Sequence, residues 1–418
     1  MKKKAFLVII KQKKGLDFMK YVIILTDGCA DIPVAELGNL TPLEKSSTPN
    51  MDDFAKNGSL YLVKTVPDGM KPGSDVANLS VMGYNPLNCY TGRSPLEAAS
   101  IGVKIEDNQT TFRANLVTLS DEENYSEKTM LDYSAGEIST EESRALMADI
   151  EKALGGGDIH FYGGVSYRHL FVWTDAPSKF TLTPPHDISD RKISDYLPSD
   201  ERIYDLMKKS EEILKNHPIN QKRIAEGKNP ATSMWIWGEG TRPALDLFEE
   251  LYNKKGAVVS AVDLIKGIAI LAGMKSIDVE GATGNIHTNF DGKAQAAADA
   301  LLKDNADLVY VHLEAPDECG HQGDAIGKTR SLELIDEKVI GYIRSRLEKA
   351  GEDYAFMVMP DHPTPVSTKT HSSDPVPCVI YKKGDNRAND YRFTEEFARK
   401  YGEKVDVGYT IMKKFLDK

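Results

Sequence analysis

The sequence predicts an α/β protein in which a mostly parallel sheet lies between helices. Three apolar runs, at residues 21–25, 308–313 and 354–359, contain almost no polar side chain. Unbroken runs of this kind are typical of strands buried on both faces, as in a parallel sheet covered by helices. Each run is followed within a few residues by an aspartate. The same runs therefore indicate the fold class and the edge of the sheet where chemistry is expected.

A long stretch between these runs has a different character. Residues 111–229 alternate strand-like and helical segments and hold none of the strand-end aspartates. This mixture indicates an α+β domain inserted between the two halves of the sheet domain. We therefore expect residues 19–110 and 230–418 to form one discontinuous domain and 111–229 a second one. The tryptophan-containing stretch 235–243 is expected to return the chain to the first domain.

Local signals place the remaining elements. Thr48 precedes Pro49, which fits an N-cap followed by the first residue of a helix. A turn rich in glycine and proline comes just before a helix that begins near Ser74. In the sheet domain, further strands are predicted at 61–66 and 257–262 and helices at 76–82 and 293–302. In the inserted domain, strands are predicted at 112–119, 159–162 and 169–173 and helices at 140–154 and 201–216.

Histidines accompany the aspartates at the strand ends. Asp317 and His321 are four residues apart, so in a helical turn both side chains face one point. On their own these two would also fit a solvated loop, but similar acids follow two further strands. Ligands of parallel sheets bind beyond the carboxyl ends of the strands, and clustered like charges there need a compensating cation. The candidate ligands are Asp27, Asp317, His321, Asp361, His362 and His371.

Ser74 stands where a loop becomes a helix. Free backbone N–H groups and the helix dipole favour an anion at such a position. Taken alone, an ordinary N-cap serine is the simpler interpretation. Beside a metal cluster, the Ser74 hydroxyl becomes a candidate nucleophile, because a metal-bound hydroxyl ionises more readily than a free one.

Composition excludes several classes of protein. The chain has 418 residues and a net charge of -11, which argues against nucleic acid as a partner because phosphate binding needs a basic surface. No apolar run approaches the roughly 20 residues of a membrane span. The cysteines are scattered without a CxxC motif, which fits a reducing cytoplasm.

The first 18 residues stand apart from the rest. Their basic start and short apolar run imitate a signal peptide, but the run is shorter than the roughly 7–15 residues expected and no cleavage site follows. A normal first strand would begin just after Met19. We expect residues 1–18 to be an artefactual or disordered extension.

The candidate ligands resemble those of the alkaline phosphatase superfamily, and the resemblance runs along most of the chain. In that superfamily one metal is held by an aspartate, a histidine four residues later and a distant histidine. These correspond to Asp317, His321 and His371. The other metal is held by the first-strand aspartate, the nucleophile and an Asp–His pair. These correspond to Asp27, Ser74, Asp361 and His362.

Longer motifs at 73–84, 92–102, 261–267 and 314–321 resemble the archaeal-type cofactor-independent phosphoglycerate mutases. This resemblance implies an alkaline-phosphatase-like sheet domain, a lid, and two divalent ions, Mn²⁺ with Mg²⁺ or Zn²⁺ as substitutes. It implies no need for 2,3-bisphosphoglycerate. It also implies that Ser74 takes the phosphoryl group of 3-phosphoglycerate as phosphoserine and returns it to give 2-phosphoglycerate, a step of glycolysis and gluconeogenesis.

Basic side chains outside the metal set are candidates for holding the substrate. In an acidic protein, arginines and a histidine near loops suit a carboxylate or phosphate, although for each one taken alone a surface ion pair is the simpler interpretation. The candidates are Arg93, Arg113, Arg168, His169 and Lys266.

Other functions stay open at this point. One branch of the family has been proposed as a homoserine kinase in threonine synthesis, although no kinase or Walker motif supports that activity here. A metal-dependent phosphatase would differ by admitting water to the phosphoserine. A non-catalytic, metal-stabilised protein would not need Ser74 at a helix start. The native metal and a homo-oligomeric state also stay open.

Overall fold

The computed structural model describes residues 19–417. The expectation for residues 1–18 lies outside this part of the chain. The chain divides into two compact units. In its described part, unit 1 comprises residues 19–90 and 244–417, and unit 2 comprises residues 91–243.

The strands are numbered in chain order. They are β1 Lys20–Thr26, β2 Ser59–Val63, β3 Gln109–Leu119, β4 Met130–Asp132, β5 Ile159–Val165, β6 Arg168–Thr174, β7 Ser233–Thr241, β8 Gly256–Val259, β9 Lys275–Ile277, β10 Leu308–Leu313, β11 Tyr354–Met359, β12 Val376–Lys382 and β13 Glu403–Val405.

The α-helices are numbered in the same way. They are α1 Pro42–Lys45, α2 Pro49–Asn57, α3 Ser74–Val81, α4 Pro86–Cys89, α5 Ser94–Ser100, α6 Thr140–Leu154, α7 Glu201–Leu214, α8 Pro218–Ala225, α9 Phe248–Tyr252, α10 Asp263–Leu271, α11 Phe290–Leu302, α12 Ala315–Gln322, α13 Ala325–Leu334, α14 Gly341–Ala350, α15 Glu395–Tyr401 and α16 Ile411–Leu416. A π-helical segment, Ile335–Ile340, joins α13 to α14.

Unit 1 is built on one large sheet in the order β13-β2-β12-β11-β1-β10-β8-β9. The central pairs β11–β1, β1–β10 and β10–β8 are parallel, and only β12 runs antiparallel to its neighbours. Helices such as α2, α11 and α14 pack on this sheet. The predicted α/β class with a mostly parallel sheet is confirmed.

The register of the central strands aligns their carboxyl ends. Thr26 in β1 pairs with Leu313 in β10, and Leu25 pairs with Met359 in β11. The segments that follow these three strands therefore leave the sheet at one edge, as parallel strands require. This alignment places the predicted acids near one another before any side-chain detail is considered.

The N-terminus of α2 shows how the structure departs from a local expectation. Thr48 occupies the N-cap position, but its hydroxyl makes no cap hydrogen bond. The carboxylate of Asp336, in the π-helical segment, instead accepts from the backbone N–H groups of Asn50 and Met51 at 3.1 and 2.8 Å. A distant, charged acceptor has replaced the local one.

Unit 2 contains an antiparallel sheet in which β3 is the central strand. β3 pairs with β4, β6 and β7, and β6 pairs with β5. The expectation that 235–243 returns the chain to the first domain is wrong, because β7 pairs with β3 over Thr110–Val117. Ser94 in α5 also donates to the Thr111 carbonyl at 3.0 Å. Unit 2 therefore extends beyond 111–229 on both sides.

Within residues 19–417, no helix is both long enough and apolar enough to cross a membrane.

Candidate metal centre

A first group of side chains surrounds the imidazole of His362, in the loop after β11. His362 Nε2 lies 3.4 Å from Asp361 Oδ2 and 3.7 Å from Oδ1 of Asp27, the residue that follows β1. The Ser74 hydroxyl lies 3.2 Å from the same nitrogen. The two carboxylates and the imidazole are almost fully buried. This group can therefore offer two oxygens, a hydroxyl and a nitrogen to one cation.

A second group forms around Asp317, which lies in the first turn of α12. Its two carboxylate oxygens lie 3.3 Å from His321 Nε2 and 3.5 Å from His371 Nε2. The two imidazole nitrogens are 2.9 Å apart. Atoms about 3 Å apart have the spacing of neighbouring ligands around a metal with bonds of roughly 2.0–2.2 Å.

Hydrogen bonds turn these imidazoles toward the cluster. His321 Nδ1 lies 3.0 Å from the Lys369 carbonyl, to which it donates, so its Nε2 is the nitrogen that faces Asp317. His362 Nδ1 lies 3.3 Å from the Thr364 hydroxyl, which itself donates to Asp317 at 2.5 Å. In both histidines the nitrogen that faces the acids is the one free to bind a metal.

The electrostatics of the site also favour the binding of a cation. Burial raises the pKa of Asp27 well above its usual value, and the charges of Asp361, Asp317 and Glu314 raise it further. Burial alone would raise the pKa of Asp317 too, but hydrogen bonds from His321 and His371 lower it. Within the described chain, the buried Oδ1 of Asp27 has no hydrogen-bond partner. An unpaired buried carboxylate oxygen among like charges fits a divalent cation.

The position of Ser74 distinguishes a helix-capping serine from a candidate nucleophile. The N-cap of α3 is Gly73, and Ser74 is the first helical residue. The Ser74 hydroxyl is therefore not the cap of this helix, and its hydrogen bond goes to His362. It stands beside the metal-type ligands with the N-terminus of an eight-residue helix behind it.

The three predicted substrate-binding arginines, Arg93, Arg113 and Arg168, all belong to unit 2. Arg93 and Arg113 share one carboxylate, that of Glu97, at 3.2 and 3.0 Å. The Arg113 guanidinium also lies 4.3 Å from the ring centre of Trp237. Burial lowers the pKa of Arg113, and the charges of Arg93 and Arg168 lower it further. Arg93, Arg113 and Arg168 therefore form one cluster of positive side chains.

His169 and Lys266 occupy different settings. His169, in unit 2, is buried, and its Nδ1 accepts from the Gly164 N–H at 3.0 Å. Its Nε2 therefore carries the hydrogen, and this atom has no hydrogen-bond partner within residues 19–417. Burial, together with the charge of Arg144, lowers the pKa of His169 to about 3, so the ring is neutral. Lys266, in unit 1, pairs with Asp278 at 2.6 Å.

Comparisons with known proteins bear directly on this arrangement. A family model described as 2,3-bisphosphoglycerate-independent phosphoglycerate mutase matches residues 55–220. A relative from Geobacter sulfurreducens, named a probable enzyme of that kind, is 47% identical over 404 residues, covering 96% of this chain and 100% of its own. The chain belongs to the 2,3-bisphosphoglycerate-independent phosphoglycerate mutase family.

Further similarities support this membership. A relative from Methanosarcina barkeri, named 2,3-bisphosphoglycerate-independent phosphoglycerate mutase, is 46% identical over 387 residues, covering 91% of this chain and 95% of its own. A solved structure of a protein from Pyrococcus horikoshii superposes with a TM-score of 0.80 at 32% identity, covering 96% of this chain and 97% of that one. The family predicted from the sequence motifs is confirmed.

Three side chains near the candidate site of this family member escaped sequence reasoning. Thr364 bridges the two ligand groups through its hydroxyl. Asn78 donates to Asp361 Oδ2 at 2.8 Å, and His312 lies 2.8 Å from Asp27 Oδ2. Only His312 left a signal in the sequence, as a polar residue inside an otherwise apolar run. Thr364 and Asn78 are ordinary residue types whose partners are remote in the chain.

Proposed function

We propose that this protein interconverts 3-phosphoglycerate and 2-phosphoglycerate through a phosphoserine formed on Ser74. The observation that carries the proposal is the position of the Ser74 hydroxyl, 3.2 Å from His362 Nε2 in a group that also contains Asp27 and Asp361. A structural metal site would have no need of a hydroxyl at the head of a helix. The relatives named above as phosphoglycerate mutases support the same activity.

We assign the seven candidate ligands to two divalent ions, with Mn²⁺ as the expected metal. Asp27, Ser74, Asp361 and His362 would hold one ion. Asp317, His321 and His371 would hold the other. Bound there, the ions would lower the pKa of the serine hydroxyl and offset the charge of the phosphoryl oxygens.

The chemistry of the chain's own residues then follows in two steps. Ser74 Oγ loses its proton and attacks the phosphorus of 3-phosphoglycerate, an O–P bond forms, the bond from phosphorus to O3 breaks, and the departing O3 takes up a proton. The glycerate turns so that its 2-hydroxyl faces the phosphoserine. That hydroxyl loses a proton and attacks the phosphorus, the bond from phosphorus to Ser74 Oγ breaks, and Ser74 Oγ takes up a proton. Backbone N–H groups at the start of α3 favour the phosphate while it is attached.

Substrate recognition is assigned to the basic side chains of unit 2, to which we also assign the lid role. Arg93, Arg113 and Arg168, which interact electrostatically with one another, are the candidates for binding the carboxylate and phosphate groups. The unpartnered Nε2–H of His169 offers a further donor. Lys266 of unit 1 completes the set of candidates. A lid would exclude the water that otherwise hydrolyses the phosphoserine.

The proposed setting is the cytoplasm. Cys29, Cys89, Cys319 and Cys378 are all buried, and their scattered positions without a CxxC motif suit a reducing compartment. The partner required by this reaction is a small phosphorylated hydroxy acid, and no 2,3-bisphosphoglycerate is needed because Ser74 itself carries the phosphoryl group.

The test is an assay of purified protein, stripped of metal and reloaded with Mn²⁺, on 3-phosphoglycerate. The expected result is 2-phosphoglycerate with little inorganic phosphate. Release of inorganic phosphate instead would indicate a phosphatase. Turnover of homoserine with ATP, and none of 3-phosphoglycerate, would indicate the homoserine kinase activity and overturn the proposal.

A further inference from the structure

The two faces of β10 are chemically different. Val309, Val311 and Leu313 face the apolar core of unit 1, together with residues of β1 and β11. Tyr310 and His312 alternate with them and are also fully buried, with exposures of 0%. Buried polar side chains are retained only where they have hydrogen-bond partners. The partners of these two residues lead to the candidate metal centre.

His312 links a serine to a candidate ligand. Its Nε2 lies 2.8 Å from Asp27 Oδ2, and its Nδ1 lies 3.2 Å from the Ser260 hydroxyl. A carboxylate accepts, so Nε2 carries the hydrogen and Nδ1 accepts from Ser260. The Ser260 oxygen in turn accepts from the Val262 N–H at 3.0 Å. In this series of hydrogen bonds from Val262 to Asp27, the buried oxygen left without a partner is Asp27 Oδ1.

Tyr310 begins a second series of hydrogen bonds on the same face of β10. Its hydroxyl donates to Asn78 Oδ1 at 2.5 Å, which fixes the orientation of that amide. The amide nitrogen of Asn78 then donates to Asp361 Oδ2 and to the Ser74 carbonyl, both at 2.8 Å. Asp361 Oδ1 accepts from the N–H groups of Gly28 and His362. The carboxylate is held on both oxygens before any metal binds.

The ligands assigned to the other ion have different hydrogen-bond partners. Thr364 donates to Asp317, and the Lys369 carbonyl accepts from His321. Both residues belong to the segment after β11, and neither contact involves β10. Thr364 contacts both ligand groups, because its hydroxyl also lies 3.3 Å from His362 Nδ1, whereas the contacts of Tyr310 and His312 lead only to the group with Asp27 and Asp361.

We propose that Tyr310 and His312 are positioning residues for one metal only, the ion assigned to Asp27, Ser74, Asp361 and His362. Their hydrogen bonds fix the carboxylates of Asp27 and Asp361, which leaves Asp27 Oδ1 and further lone pairs on the Asp361 oxygens for the cation. Mutation of a hydrogen-bond partner of a metal ligand typically lowers metal affinity by about 10–100-fold. This inference rests on the proposed function, because it uses the assignment of ligands to two ions.

The experiment measures Mn²⁺ binding to metal-free protein by calorimetry and by the electron paramagnetic resonance of free Mn²⁺. Wild type is expected to bind two ions per chain. His312→Leu should weaken one of the two binding events by about 10–100-fold and leave the other unchanged. His312→Gln should largely restore it, because the amide nitrogen of glutamine can stand where Nε2 stands. A residue that only filled space would show no such rescue.

Matched variants separate positioning from packing. Tyr310→Phe should weaken the same binding event. Tyr354→Phe is its control, because Tyr354 is an equally buried tyrosine at the start of β11 whose hydroxyl lies 2.9 Å from Glu348. Ser260→Ala should cause a smaller loss at the same ion. If His312→Leu does not fold, as judged by circular dichroism of the metal-free protein, the comparison of His312→Gln with Ser260→Ala decides.

The outcomes are distinct. Wild type that binds no metal would defeat the proposed function itself. Wild type that binds two ions, with His312 and Tyr310 variants that bind both as tightly as wild type, would overturn only the present inference. Variants that bind both ions equally more weakly than wild type would overturn it as well, because His312 and Tyr310 would then not act on one metal site only.

Discussion

Ser74 Oγ and His362 Nε2 lie 3.2 Å apart, although 288 residues separate them in the chain. The contact joins the first residue of α3 to the loop after β11. His362 is held in place by its Nδ1 contact with Thr364. A hydroxyl in this position can be a nucleophile, whereas a capping serine would be turned back onto its own helix. This relationship makes the role of Ser74 open to a direct test.

Ser74→Ala is expected to abolish mutase activity and leave the fold intact. Since Gly73 occupies the N-cap position, the loss in unfolding free energy should stay below about 1 kcal/mol. The loss of the nucleophile removes the covalent route altogether. The measurements are 2-phosphoglycerate formation from 3-phosphoglycerate with Mn²⁺, thermal unfolding, and mass spectrometry for phosphate on Ser74. A variant with near-normal turnover would rule out the mechanism.

Removal of metal should destabilise the protein as well as inactivate it. Without a cation, the carboxylates of Asp27, Asp361 and Asp317 repel one another in a buried setting. Mn²⁺ at about 100 times its dissociation constant should add about 2.7 kcal/mol of unfolding free energy per site. Asp361→Asn should lose part of this gain in a thermal-shift titration. Asp299→Asn, a change at a surface ion pair of α11, should keep all of it. An equal response of both variants would contradict the assignment.

Arg113→Met should impair substrate binding and spare metal binding. A charged hydrogen bond contributes roughly 1.5–3 kcal/mol, so kcat/KM for 3-phosphoglycerate should fall about 10–100-fold, mainly through KM. Arg202→Met is a matched control, because Arg202 also pairs with a carboxylate, that of Asp158, and lies 4.8 Å from a tryptophan ring centre, that of Trp173. Steady-state kinetics of the two variants provide the check. Similar losses in both would indicate a general effect on unit 2.

Glu395 should give the protein a pH-dependent stability. Burial raises the pKa of this carboxyl from 4.5 to about 6, although it accepts from the Asp31 N–H and the Thr41 hydroxyl. Folding therefore favours the protonated form. The stability that Glu395 contributes is complete below about pH 4.5 and is lost as the pH rises through about 6.

The check is urea unfolding of wild type and Glu395→Gln at several pH values. The difference in unfolding free energy, wild type minus variant, should fall by roughly 2 kcal/mol between about pH 4.5 and 7. A difference that stays constant with pH would show that the carboxyl titrates normally in the folded protein.

Local sequence patterns were sufficient for much of the fold. The predicted strands 308–313 and 354–359 and the helix 140–154 agree with the structure residue for residue. These elements depend on apolar periodicity and end signals, which are properties of neighbouring residues. The prediction that 235–243 leaves the inserted domain was wrong, because nothing local in β7 shows that its partner is β3.

The sequence by itself determined the buried strands, the acid that follows each of them, and the family motifs. Only the tertiary structure decided which atoms of those residues face one another. Asn78 and His312 turn toward Asp361 and Asp27 across 283 and 285 residues of chain. Such contacts depend on strand order and register, and these arise from the packing of the whole sheet. The free oxygen of Asp27 is therefore a property of the folded protein, whereas the aspartate at that strand end is a property of the sequence.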